Sequence, residues 1–252
     1  MAPTGASIPR RLFTSYELRV TSHELPRVAN YAFLNLWFKD FTVERGLEHL
    51  QALLTLFPVA STQPGFWRVL VRAIDPGQAP LVEHAYLPTP EAVRQQAAEF
   101  RQADCACELQ AYWDLWQWSL GPGPKLEWAD RPCPVEFLLY GEEFDQACFR
   151  ETGHVQIHLG FEHLYTGHAQ ILDGAEIRPQ DAESRAEQEF ALALLEEDSL
   201  RIYRQRTREN VRRLYAFLRQ AEKSLPVENH RLWSEGEADF ARHTEEILAR
   251  LE

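Results

Sequence analysis

The sequence predicts an α+β fold. It has an antiparallel or mixed sheet, with a ferredoxin-like βαββαβ unit extended by further antiparallel strands, and then a helical C-terminal region. Three observations lead to this. Several short runs before residue 180 alternate apolar and polar residues at the period of two that a half-buried strand requires. Two segments among them carry apolar residues three and four apart, the stripe of an amphipathic helix. From about Asp181 the strand-forming residues thin out, and Ala, Glu, Leu, Arg and Gln dominate. The chain divides accordingly into a sheet region, 1–180, and a helical region, 181–252, packed on it as part of one domain or as a second one.

Residues 1–10 read as a lead, and Leu12–Thr21 alternates loosely as a first strand. The dense apolar run around Phe33, Leu34, Leu36, Trp37, Phe38 and Phe41 fits a buried strand or a short helix, and periodicity does not separate the two. Val43, Leu47, Leu50, Leu53, Leu54 and Phe57 define a helix that Pro58 ends. Phe66–Ile74 reads as a strand with Trp67, Val69 and Val71 on one face. Asp75-Pro76-Gly77 is a turn, and Leu81–Leu87 a short returning strand. Thr89 and Pro90 open a second helix, Thr as N-cap and Pro in the first turn.

Cys105–Leu120 is a long strand carrying Tyr112, Trp113, Trp116 and Trp118. The order strand, helix, strand, strand, helix, strand is the βαββαβ succession. Gly121-Pro122-Gly123-Pro124 breaks it. Leu126–Ala129 reads as a short strand, Arg131-Pro132-Cys133-Pro134 as another break, and Val135–Tyr140 as a further strand. An acidic connection with Glu142, Glu143 and Asp145 leads to the segment Gly153–His168. In the C-terminal region, Phe190, Leu194 and Leu195 fit one helix, and Leu200, Tyr203, Val211, Leu214, Tyr215 and Leu218 a second. Pro226 breaks the pattern, and Ser234 with Glu237 forms a capping box ahead of a last helix.

Composition restricts the function classes. The formal net charge is −12 at pH 7, which opposes general binding to nucleic acid or anionic membranes. No apolar run approaches the roughly 18 residues of a membrane span, and the N-terminus lacks the apolar core of a secretion signal. Cys105, Cys107, Cys133 and Cys148 read as reduced thiols of a cytoplasmic protein. The preference for Arg over Lys suggests a GC-rich, bacterial genome. Walker, Rossmann, HExxH and nucleophile-elbow motifs are absent.

Three candidate sites remain. In the first, Val155, Ile157, Leu159 and Phe161 alternate with His154, Gln156, His158 and Glu162, so a strand would present the polar set on one face. Histidines four apart on a strand are about 13 Å apart. One zinc ion with bonds of about 2.0 Å does not span that distance. His154, His158, Glu162 and His163 would supply a metal or acid–base site, with His158 joining a ligand from a neighbouring strand or from the segment that holds Glu162, His163 and His168. In the second, Tyr112, Trp116 and Trp118 share a strand face, either as core or as an aromatic platform for a partner. The third is a basic stretch of Arg201, Arg204, Arg206, Arg208, Arg212 and Arg213. It is solvated or internally paired, or it binds phosphate, and it leaves nucleic acid open despite the acidic total.

The expectation is a non-enzymatic cytoplasmic binding protein of inhibitor, immunity or adaptor type. It has a protein partner and no required cofactor. The alternative is a hydrolase or other enzyme that uses a divalent metal held by the histidine segment.

Overall fold

The computed structural model describes residues 30–100, 102–121, 125–168, 171–182 and 184–250. The strand expected at Leu12–Thr21, which was to open the βαββαβ unit, lies outside them. The described chain begins with β1, Tyr31–Phe38, followed by α1, Val43–Leu56. Then come β2, Phe66–Ala73, β3, Val82–Leu87, and α2, Pro90–Ala98. The long strands β4, Cys105–Leu120, and β5, Leu126–Tyr140, form a hairpin. A short helix α3, Phe149–Thr152, precedes β6, Val155–Phe161, and α4, His163–Thr166, follows it. The C-terminal region holds α5, Arg185–Leu194, α6, Glu197–Ser224, β7, Val227–Ser234, and α7, Phe240–Ala249.

The seven strands form one antiparallel sheet in the order β3-β2-β4-β5-β6-β1-β7. The ambiguous aromatic run is β1. It lies between β6 and β7 and is covered on both faces, which explains why its apolar residues do not alternate. Thr89 Oγ1 accepts the Ala92 N–H, the cap expected there, and Thr42 Oγ1 likewise accepts the Arg45 N–H at the start of α1.

Two readings are corrected. The expected break at Arg131–Pro134 is not a break, because β5 runs unbroken from Leu126 to Tyr140 opposite β4. Pro132 and Pro134 fall beyond the stretch, Glu136–Leu139, where β5 pairs with β6, so the missing N–H groups cost no ladder bond there. The segment after Pro226 is β7, an edge strand paired with β1. Its exposed Glu228, Asn229, His230 and Arg231 give it no apolar alternation to read. Ser234 Oγ does accept the Glu237 N–H at 3.1 Å, but that bond closes a turn ahead of α7, which starts at Phe240.

The core is contiguous across residue 181. Alternate residues of the central strands, Leu34, Ile157, Phe137 and Leu109 among them, face the helices and are fully buried. Phe57 of the α1 C-cap stands edge-on to Trp113, Phe137 and Phe217 at 5.0–5.5 Å, joining α1, the sheet and α6. Each such side chain contributes about 1.5–3 kcal/mol by leaving water. A smaller cluster of Ala106, Tyr140 and Phe144 lies apart from this core.

Candidate functional site

The register of the sheet places one line of residues across all seven strands: Tyr86, Trp67, Gln110, Glu136, His158, Phe33 and Trp233. At its centre His158 Nδ1 lies 3.8 Å from Glu136 Oε2. The His158 ring packs against Tyr31 and Phe33, with centroids 4.6 and 4.5 Å away. Burial depresses His158 to about 4. Burial also raises Glu136, helped by the Glu108 carboxylate and partly opposed by Arg68. Both shifts favour neutral partners over an ion pair. Beside them, Tyr140 donates to Gln156, Gln156 Nε2 to Asn35, and Trp233 Nε1 to Asn35. These bonds give the buried Gln156 and Asn35 side chains partners within the sheet.

The other members of the histidine segment do not join His158. His154 precedes β6 and follows Gly153, whose φ is 84°, so the strand alternation does not extend to it. Its Nδ1 accepts the Phe38 N–H at 3.0 Å, and its ring stacks on Phe41 at 3.9 Å. Burial, with a contribution from His49, lowers it to about 4. Glu162 lies past the end of β6, and its Oε2 accepts the Gly236 N–H at 3.0 Å. His163 packs against Phe161 and against His168, 4.3 Å away, and burial brings it to about 4. Among the described residues no group of three or more His, Cys, Asp or Glu is arranged to hold a metal ion.

The aromatic set also separates. Tyr112 meets Trp67 edge-on at 6.4 Å. Trp116 lies under the Arg206 guanidinium, 3.6 Å from ring centroid to Cζ, and its backbone is held by Asn210 of α6. Trp118 stacks on Phe190 of α5 at 4.4 Å and meets His168 edge-on. Trp116 and Trp118 thus pack within the chain against α5 and α6, while Tyr112 belongs to another surface.

That surface was not found by sequence reasoning. Trp67 and Tyr86 are in contact at 4.7 Å and are 37% and 42% exposed. The alternation grouped Trp67 with Val69 and Val71. The β2–β4 register shifts between Trp67 and Leu70, with Arg68 at φ 50°, and this separates Trp67 from the two buried valines. Gly65 admits the Tyr86 ring: a Cβ there would lie 2.7 Å from it. No local pattern signals a bulge at an Arg, so periodicity had no means of finding the pair.

The basic stretch also divides. Arg213 binds Asp130 at 2.7 Å and the Asp114 carbonyl, and Arg206 pairs with Glu209 at 2.9 Å. Arg201 pairs with Asp198 at 3.1 Å, and Arg204 donates to the Ile171 carbonyl. Arg208 and Arg212 lie on the outer side of α6.

All four cysteines are free thiols. Among the described residues no helix is long and apolar enough to cross a membrane. No protein-family model matches this chain, and no match emerges among curated proteins or solved structures.

Proposed function

We propose that the protein is a non-enzymatic cytoplasmic binding protein that docks a basic protein partner on the aromatic cluster of Trp67, Tyr86 and Tyr112. The observation that carries this reading is the exposed contact between Trp67 and Tyr86 on neighbouring strands at the β3 edge of the sheet. Large rigid rings that remain half in water give contact area at low entropic cost, which is why Trp and Tyr dominate interface hot spots. Glu83, on the same strand as Tyr86, has a 55% exposed side chain that lies 3.9 Å from the Arg68 guanidinium. The net charge of −12 supports a partner that brings Arg or Lys to the rings.

The test compares the tagged protein with a Trp67→Ala/Tyr86→Ala variant in capture from native lysate. The reading expects a partner in near-stoichiometric amount, held by the wild type and lost from the variant at unchanged melting temperature. A partner retained equally by both proteins, or none held by either, would overturn it.

A further inference from the structure

We infer that the outer face of α6 is a binding track for the phosphodiester backbone of a single-stranded nucleic acid, independent of the aromatic cluster. The helix is 28 residues long, and Arg201, Arg208, Arg212, Arg219 and Lys223 recur along it at steps of 7, 4, 7 and 4. At 3.6 residues per turn that spacing confines all five to an arc of about 60°. The line they form is straight, about 33 Å long, and parallel to the axis. It lies away from the buried stripe of Tyr203, Thr207, Leu214 and Ala221.

The cations of this line are largely unspent. Arg201 pairs with Asp198, but no carboxylate lies within ion-pair distance of Arg208, Arg212, Arg219 or Lys223 among the described residues. Arg212, Arg219 and Lys223 are exposed, and Arg208 is partly so. Glu222, which flanks the line, is engaged by His230 at 2.9 Å. The inward-turned arginines of the same helix, Arg206 and Arg213, have dedicated partners. The helix therefore separates arginines that hold the fold from cations that hold nothing in it.

Three arguments choose the occupant. The line is dominated by Arg, whose planar fork takes two oxygens of one phosphate. A straight track suits a flexible strand, which can follow it throughout, whereas a duplex backbone curves away after one or two contacts. A dense polyanion gains from counterion release, while pairs between exposed side chains are worth little, so phosphates reward this line more than an acidic protein helix would. The overall charge of −12 does not forbid it, because charges more than about 8 Å away are largely screened at physiological ionic strength.

The test is fluorescence anisotropy of a labelled 20-nucleotide oligo-dT across a salt series, beside the same length of duplex and poly-L-glutamate. Four phosphate contacts give a slope of log K on log salt of about −3. The Arg208→Gln/Arg212→Gln/Arg219→Gln/Lys223→Gln variant should bind more than tenfold more weakly, with a flatter slope and an unchanged circular dichroism spectrum. The matching Arg208→Lys/Arg212→Lys/Arg219→Lys variant should keep the slope, because the charge is kept, but lose part of the affinity, because an ammonium does not reproduce the fork. Failure of oligo-dT to bind at 50 mM salt, or equal binding by the glutamine variant, overturns the inference. Tighter binding of duplex or of poly-L-glutamate overturns the choice of occupant.

Discussion

The Asn210 side chain holds both backbone groups of Trp116: its Oδ1 accepts the Trp116 N–H and its Nδ2 donates to the Trp116 carbonyl, each at 2.9 Å. The same Nδ2 reaches the Leu164 carbonyl at 3.0 Å, and the residue is 1% exposed. Here β4 has run past its pairing with β2, which ends at Gln110, so its outer edge would otherwise be unpaired. A helix side chain stands in for the missing strand and closes that edge. Asn210→Ala leaves three backbone groups short of a partner, one buried and two half-buried. It should lower stability by about 2–4 kcal/mol in urea unfolding. A loss below about 0.5 kcal/mol would mean that water or a neighbour replaces the amide.

Trp118 and Trp67 should respond differently to truncation. Trp118 stacks on Phe190 and packs against the core, so Trp118→Ala should cost about 2–3 kcal/mol. Trp67 is an exposed large apolar residue, and Trp67→Ala should cost less than about 1 kcal/mol. Urea midpoints at matched m-values give the comparison. Equal costs would contradict the division between internal and surface aromatics.

Acid should destabilise the fold through its histidines. His158 and His163 are neutral in the folded state, with values lowered by burial from 6.5 to about 4. The unfolded chain binds those protons first. Their stabilisation is therefore complete above about pH 6.5 and is lost as pH falls from there towards 4, by about 2 kcal/mol apiece near pH 4.5. His163→Gln should flatten the stability profile in that window. A profile as steep as that of the wild type would remove His163 from the account.

The thiols should be slow to react in the folded protein. Burial pushes Cys107 and Cys133 up to about 12 and Cys148 up to about 11. At pH 8 almost none of these groups is thiolate. A chromogenic disulfide reagent should label them far more slowly in buffer than in denaturant. Prompt labelling of Cys107 or Cys133 in buffer would show that the β4–β5 sheet opens locally.

Much of the architecture was legible in the residues themselves. Val43–Phe57 announces α1 because one buried stripe repeats every three or four residues, and Val155–Phe161 announces β6 because one face is buried and the other polar. The acidic charge and the break in composition near Asp181 are also properties of the chain alone. Such patterns are local, so periodicity and capping chemistry suffice to read them.

What only the tertiary structure decided depends on partners distant in sequence. β7 is a strand because β1 lies beside it, since its own residues 228–231 are exposed and polar. Pro132 and Pro134 sit within β5 because its pairing with β6 covers only Glu136–Leu139 and does not reach them. His154, His158 and His163 lie on one short segment, yet a strand end, a strand and a helical turn lead them to three environments. Trp67 and Tyr86 come together across a strand pair, and a bulge separates Trp67 from Val69 and Val71. Side-chain alternation foretells a face only while the strand continues without a bulge, and strand pairing and chain direction are settled by contacts that no single stretch of sequence contains.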